Sequence, residues 1–164
     1  EAGDDFLAVN PSGKVPALTL DNGQSLTENP AILLYIADQN PGVGLAPAEG
    51  SIERYQLLSR LSFLGSELHK AFVPLFTPGT TDDAKAAATV AVKGHLAGLD
   101  QEIAGKEYYV GEAFSVADIY LFVILGWPAH VGIDMAAYPA LGAFAGKIAQ
   151  RPSVGAALKA EGLL

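Results

Sequence analysis

The sequence predicts an α+β fold that is mainly helical: a small lobe of one β-hairpin and one helix, followed by an all-helical lobe. Three observations lead to this fold class. Residues 1–48 are rich in turn signals, and an Asn22-Gly23 pair separates two short apolar segments. From Ser51 onward, apolar residues recur at spacings of three and four. Half of the 164 residues are hydrophobic, which is enough to form a core.

The first lobe combines the hairpin with one helix. Segments 17–20 and 24–26 flank Asn22-Gly23, a strong signal for a tight hairpin turn. Asn29-Pro30 predicts a helix start, with Asn29 as the N-cap and Pro30 as the first helical residue; Asn40-Pro41 predicts its end. A lone two-stranded sheet is marginal in water. A further strand should therefore pair with its edge, from an absent N-terminal segment or from another chain.

The second lobe is predicted from helical periodicity. One long helix should end near Pro74 and Pro78-Gly79, and its apolar stripe comprises Ile52, Tyr55, Leu58, Leu61, Leu64, Leu68, Phe72 and Leu75. Further helices are expected from about Thr81, from Ser115 to about His130, and over 139–150 and 153–161. The predicted domains are 1–42 and 51–164, joined by a linker at 43–50.

Charge and composition exclude several classes of function. Ten Lys and Arg against eighteen Asp and Glu give a net charge of −8, which argues against nucleic acid or an anionic membrane as partner. The longest apolar stretch is far shorter than the roughly 20 residues that cross a bilayer. No cysteine is present and the three histidines lie far apart, so no metal site is expected. A cytoplasmic protein is expected, and the start at Glu1 indicates a processed, trimmed or partial chain.

The segment Lys14-Val15-Pro16 has two interpretations. A proline just before a strand usually marks only an edge or a turn. The alternative is a cis Val15–Pro16 bond that turns the N–H and C=O of Val15 outward, where they can pair with an extended ligand backbone as an added strand does. The sequence leaves both interpretations open.

Glu28, Asn29 and Pro30 form a second candidate site. These residue types commonly do no more than begin a helix. The free N–H groups at the helix start also suit a carboxylate, and Glu28 beside them suits an ammonium group. A carboxylate site next to an ammonium site matches the head of an α-amino acid or a γ-glutamyl group.

A polar row on the long helix is a third candidate. Ser59, Ser62, Ser66 and His69 follow one another at three- and four-residue spacings, with Lys70 beside them. Small residues of this kind can simply allow close packing of helices, and His69 can simply be a solvated surface residue. The alternative is a cleft wall in which His69 and Lys70 favour an anionic ligand.

Ser115 and Asp118 predict a structural feature. Their spacing is that of a capping box, in which the carboxylate accepts a hydrogen bond from the backbone at the helix start. A carboxylate that enters so apolar a helix needs such donors. Replacing Ser115 with alanine should cost about 1 kcal/mol.

Taken together, these features resemble the cytosolic glutathione S-transferases, and most closely the bacterial beta class. The resemblance covers essentially the whole chain, and the motifs that carry it occur in one order: residues 1–11, 13–18, Leu26-Thr27-Glu28, 66–70 with Pro74-Leu75-Phe76, 114–118, Arg151-Pro152 and 160–163.

The resemblance implies a partial thioredoxin-like first lobe, an all-α second lobe of the glutathione-transferase type and a homodimer. Lys14, Val15, cis Pro16, Glu28 and Asn29 would bind glutathione, with Val15 pairing to its cysteinyl part and Glu28 contacting its γ-glutamyl group; Asn29 stands where many relatives have serine. Lys70 would lie near the same ligand, His69 would be catalytic, and Ser62 and Ser66 would reach glutathione across the dimer interface. Trp127 would line the acceptor pocket.

One departure from the family pattern is large. The chain begins where such enzymes have completed a first strand, helix and second strand, the segment that carries the thiol-activating residue, a cysteine in the beta class. That segment would also pair with the hairpin edge, so the two expectations point to the same piece of structure.

The resulting hypothesis is a bacterial detoxification enzyme that conjugates the thiol of glutathione, its co-substrate, to small electrophilic apolar molecules without a metal. Two alternatives remain open at this stage. One is a truncated, non-catalytic relative that binds glutathione or apolar ligands. The other is an all-helical interaction module with an accessory hairpin.

Overall fold

The first lobe contains the predicted hairpin and helix. The computed structural model describes residues 5–164. A short helix, α1 (Phe6–Val9), precedes strands β1 (Ala17–Thr19) and β2 (Ser25–Thr27), which pair antiparallel with Ala17 opposite Thr27. Gly23 adopts the positive φ of 79° that the turn requires. Helix α2 (Asn29–Gln39) follows directly. The hairpin prediction is confirmed.

The second lobe is a helical bundle. Its elements are α3 (Ile52–Phe63), a π-helical turn (Leu64–Leu68), α4 (His69–Phe76), α5 (Asp82–Ile103), α6 (Val116–Leu125), α7 (Pro139–Ala149) and α8 (Pro152–Ala160). Short 3₁₀ turns cover Pro41–Val43, Pro128–Val131 and Met135–Ala137. The predicted α+β, mainly α fold class is confirmed. Within residues 5–164, no helix is long and apolar enough to cross a bilayer.

The core lies between the long helix and α5, α6 and α7. Fully buried side chains include Leu61, Leu64, Phe72, Leu96 and Leu121. Together with their neighbours they form one continuous cluster that extends to Ala37 of α2. The first lobe is therefore anchored to the bundle through α2.

Helix α3 corrects the predicted apolar stripe. Ile52, Tyr55 and Leu58 are exposed, by 65%, 60% and 37%. The buried face instead continues from Leu61 through Leu57 to Arg54. Arg54 is buried because its guanidinium binds the Asp38 carboxylate at 2.6 Å and the Pro47 carbonyl oxygen at 3.3 Å, which pairs its charge. A charged residue, Arg54, thus lies on the buried face of α3, and a pattern of apolar residues cannot predict this.

Two helix ends also differ from the prediction. Helix α6 ends at Leu125 rather than near His130, because Pro128 has no N–H to donate to Ile124, and a 3₁₀ turn follows. Pro74 lies inside α4, which continues to Phe76. Asn29 is the first helical residue of α2, so the N-cap position belongs to Glu28 and not to Asn29 as predicted. The Glu28 side chain makes no hydrogen bond to the helix start.

The capping box at the start of α6 is confirmed. Asp118 is fully buried, and its Oδ2 accepts the backbone N–H and the hydroxyl of Ser115 at 2.7 and 2.8 Å. Its Oδ1 accepts the backbone N–H of Tyr109 at 2.7 Å. Burial raises the pKa of Asp118, and these hydrogen bonds oppose the rise. Asp118 therefore ties the loop after α5 to the helix that fills the core.

Candidate functional site

The peptide bond between Val15 and Pro16 is cis, as the second interpretation of this segment required. Val15 is 79% exposed, so the residue is accessible to a ligand. The loop before it is held by Asn10, which is 6% exposed. Asn10 Nδ2 donates to the Lys14 carbonyl oxygen at 2.6 Å, and its Oδ1 accepts hydrogen bonds from the N–H and hydroxyl of Ser12. Asn10 was not singled out among the turn signals of residues 1–48, yet its side chain holds this segment in shape.

Glu28 lies at the same end of the hairpin as Val15 and Pro16. The register that pairs Ala17 with Thr27 places the residues before β1 next to those after β2. Glu28 has φ 69° and ψ 115°, and among residues 5–164 it is the one non-glycine residue with a positive φ. Such a conformation costs of order 1–3 kcal/mol and is typical of functional sites. Its side chain is exposed, beside the half-buried first residues of α2.

The start of α2 packs closely on the helical lobe at Gly65. A Cβ atom at Gly65 would lie 3.6 Å from Cγ of Pro30 and 3.8 Å from the hydroxyl oxygen of Tyr120. The Asn29 side chain lies near the same hydroxyl, where its hydrogen bonding opposes the rise in the pKa of Tyr120 that burial causes. Gly65 belongs to the π-helical turn, so this turn is where the two lobes meet beside the candidate site.

His69 follows the π-helical turn and is engaged on one side by Tyr120. Its Nδ1 lies 2.9 Å from the Tyr120 hydroxyl oxygen. The Trp127 ring packs edge-to-face on the imidazole, with ring centroids 4.6 Å apart. Burial lowers the pKa of His69, and the neighbouring positive charge of Lys70 lowers it further. The ring is therefore neutral near pH 7.

An aromatic cavity of about 530 Å³ adjoins His69. It is lined by His69, Phe72, Val73, Phe76, Thr77, Pro78, Trp127 and His130. The Trp127 ring packs against Phe72 and Phe76 as well as His69. Because α6 ends before Trp127, this side chain leaves the helix and forms part of the wall. The cavity can hold an apolar group directly beside an imidazole.

The predicted site residues fall into three groups. Lys14, Val15, Pro16, Glu28 and Asn29 meet at one end of the hairpin. His69 and Trp127 meet in the cavity, and Tyr120 connects Asn29 to His69. Ser62, Ser66 and Lys70 are exposed and, in the described part of the chain, are not among the residues that line the cavity. The Ser66 hydroxyl lies 3.3 Å from Glu67 Oε1.

Comparison with known proteins decides the family. The model of the glutathione S-transferase C-terminal domain matches residues 63–152, and that of the N-terminal domain matches residues 1–39. Glutathione S-transferase GstA of Escherichia coli O157:H7 is 40% identical over 163 residues, which is 99% of this chain and 81% of GstA.

The chain belongs to the glutathione S-transferase family.

Two solved structures extend the comparison. A sphingomonad glutathione S-transferase complexed with glutathione is 80% identical, with a TM-score of 0.96 over 100% of this chain and 82% of that one. The beta-class enzyme of Sphingomonas chungbukensis is 76% identical, with a TM-score of 0.98 over the same shares. The predicted bacterial beta-class likeness is confirmed. The predicted lobe boundary at 43–50 and the strand–helix–strand unit expected before residue 1 stay predictions.

Two parts of the transferase site were missed by the sequence analysis. Neither Tyr120 nor Gly65 was singled out from the sequence. No local pattern pairs Tyr120 with His69, because the two lie 51 residues apart. The π-helical turn likewise has no signature in the run of apolar and polar residues. These parts require the folded arrangement of α2, α4 and α6.

Acidification from about pH 7 to about pH 5 is expected to reduce the free energy of unfolding of the transferase through His69. The folded-state pKa lies below 6.5, so the unfolded chain takes up a proton at this site first and stability falls as the pH drops through that window. Urea denaturation at several pH values, with the His69→Phe variant alongside, measures the effect. The variant should show a weaker pH dependence, and equal dependence in both proteins would contradict the expectation.

Proposed function

We propose that the protein conjugates the thiol of glutathione to small electrophilic, apolar compounds, as a detoxifying transferase. The observation that carries the proposal is the arrangement of two adjoining surfaces. A backbone and carboxylate surface at the end of the hairpin lies next to an aromatic cavity, and Tyr120 joins them. The first surface fits a peptide-like thiol, and the second fits an apolar acceptor.

The peptide part of glutathione would bind at Val15. Val15 is exposed and lies shortly before β1, and an extended cysteinyl residue would pair with its backbone as an added strand does. Lys14 precedes Val15 and is exposed, which suits a nearby carboxylate of the ligand. Asn10 keeps this segment in place by binding the Lys14 carbonyl oxygen.

The γ-glutamyl part would bind at Glu28 and the start of α2. The carboxylate of Glu28 attracts the ligand ammonium group. The free N–H groups of Asn29 and Ala31 and the positive end of the helix dipole attract the ligand carboxylate. The strained backbone of Glu28 is consistent with a residue held in place for binding.

His69 and Lys70 would assist the chemistry at sulfur. The thiolate is the nucleophile, and a nearby cation or hydrogen-bond donor stabilises it relative to the thiol. In the reaction the thiol proton leaves to solvent. The sulfur lone pair forms a carbon–sulfur bond with the electrophile, and the leaving group departs with its bonding electrons. His69 is the proposed catalytic residue because it lies at the edge of the acceptor cavity.

The acceptor would occupy the aromatic cavity beside Trp127. Apolar side chains make up most of its wall, which favours an apolar electrophile. Trp127 is the only tryptophan in the chain, so its fluorescence reports on this cavity alone. An aryl chloride electrophile should quench this fluorescence saturably. Unsaturable, purely collisional quenching would speak against binding here.

We also propose that the transferase is a cytoplasmic homodimer. The cytoplasm keeps glutathione reduced. The exposed apolar face of Ile52, Tyr55 and Leu58 is a surface that a second copy would cover, and Ser62 and Ser66 continue along the same long helix. Sedimentation equilibrium should show a dimer, and Tyr55→Glu should shift it toward monomer. A monomeric unmodified chain would remove this proposal.

A calorimetric titration of glutathione into the folded chain tests the proposed function. Saturable binding, followed by conjugation of an aryl chloride, is the expected result. Binding without conjugation would favour the alternative of a non-catalytic relative that binds glutathione. The same surface at the end of the hairpin supports that alternative. A folded chain that ignores glutathione would overturn both.

A further inference from the structure

Tyr120 lies between the two surfaces of the proposed site. It is buried in α6, and its hydroxyl oxygen lies 2.9 Å from Nδ1 of His69. Asn29 approaches the same hydroxyl from the first turn of α2. Gly65 borders it, since a Cβ there would lie 3.8 Å away, in ordinary van der Waals contact. The hydroxyl is therefore enclosed by α2, the π-helical turn and α4.

The chemistry of the three groups gives these hydrogen bonds a direction. A phenol donates readily, and the unprotonated nitrogen of a neutral imidazole is a good acceptor, so the 2.9 Å contact suits donation from Tyr120 to Nδ1. Burial raises the pKa of Tyr120, and hydrogen bonding with Asn29 opposes that rise. That direction is expected when an amide N–H donates to the phenol oxygen. In that arrangement Asn29 donates to the Tyr120 oxygen, and Tyr120 donates to His69.

We propose that Tyr120 is a positioning residue that holds His69 in the Nε2–H tautomer and directs this N–H to the sulfur of glutathione. The inference rests on the proposed function, in which His69 contacts the thiol. With Nδ1 accepting a hydrogen bond, the neutral ring carries its proton on Nε2. The edge-to-face contact with Trp127 restrains the ring plane. Tyr120 thereby fixes both which nitrogen donates and where it points.

Nuclear magnetic resonance of the chain with ¹⁵N-labelled histidine tests the tautomer directly. The three histidines are separated by comparison with His69→Phe. Long-range nitrogen–proton couplings at a pH where His69 is neutral should show Nε2–H, with Nδ1 as a hydrogen-bonded acceptor. Tyr120→Phe should shift the Nδ1 resonance toward that of a nitrogen without a donor. An Nδ1–H tautomer in the unmodified chain would overturn the proposal.

The functional step is tested with Tyr120→Phe, which removes the hydroxyl and keeps the ring. The expected result is a fall of about five-fold in kcat, from loss of one positioning hydrogen bond, with the Kd of glutathione unchanged. The thiol pKa of bound glutathione, followed by thiolate absorbance, should rise. Tyr138→Phe is the matched control: it removes another buried tyrosine hydroxyl, which bonds the Lys93 carbonyl oxygen at 3.4 Å, and should change neither quantity.

A double-mutant cycle separates positioning from packing. In the His69→Phe background, Tyr120→Phe should cause no further loss of kcat or change in thiol pKa. Additive losses would show that Tyr120 acts through packing alone and would overturn the proposal. If the chain binds no glutathione, both the proposed function and the contact between His69 Nε2–H and the glutathione sulfur are overturned. The tautomer measurement needs no glutathione and still decides whether Tyr120 donates a hydrogen bond to His69.

Discussion

Replacing Asp118 with alanine is expected to lower the free energy of unfolding by about 3 kcal/mol. The substitution relieves the burial of a carboxylate, which on its own would stabilise the protein. It also leaves the backbone N–H groups of Tyr109 and Ser115 buried without their acceptor. Each orphaned buried donor costs about 1–3 kcal/mol, so the loss outweighs the relief. Chemical denaturation near pH 7 measures the difference.

Two other variants show whether burial is the cause. In Asp134→Ala the lost carboxylate accepts one backbone N–H, that of Ala136, at an exposed 3₁₀ turn, so the cost should stay below about 1 kcal/mol. In Ser115→Ala only the hydroxyl is lost, and the cost should be about 1 kcal/mol. Equal losses in Asp118→Ala and Asp134→Ala would show that the buried donors find water or another partner.

Features set by neighbouring residues could be predicted from the sequence. The hairpin depends on Asn22-Gly23, and the structure places β1 and β2 on either side of that turn. The capping box depends on residues three positions apart, and it is present. The start of α5 after Thr81 follows the same logic, since the Thr81 hydroxyl accepts the N–H of Ala84. Short-range hydrogen bonding and turn geometry decide all three.

Features set by distant residues could not be predicted. The apolar pattern alone favours Ile52 and Tyr55 as core residues, yet Arg54 is buried because Asp38 of the other lobe pairs its charge. Asn29 looks like a cap, but it is the first helical residue of α2, and its side chain lies near Tyr120 of α6. The closeness of Tyr120 to His69 likewise depends on how α4 and α6 pack. In each case a tertiary partner overrides the local preference.

Glu28→Gln is expected to weaken glutathione binding by about 10- to 100-fold, the second large effect. The variant keeps the size and polarity of the side chain and removes the charge that would pair with the ligand ammonium group. The fold should be unchanged, because Glu28 is exposed and its side chain caps no helix N–H. Calorimetric titration gives the affinity. Glu49→Gln, which makes the same change in net charge at another exposed position, should bind glutathione normally.

A glutathione analogue without the α-amino group tests the contact between the Glu28 carboxylate and the ligand ammonium group directly. The unmodified chain should bind that analogue as weakly as Glu28→Gln binds glutathione, and the variant should not distinguish the two ligands. Glu28→Gly adds an independent argument. Glycine adopts φ 69° without a Cβ penalty, so this variant should be at least as stable as the unmodified chain while binding glutathione more weakly. Stability alone does not explain a strained glutamate at this position. If Glu28→Gln and Glu28→Gly both bind glutathione with unchanged affinity, the strained backbone serves some role other than holding the γ-glutamyl group.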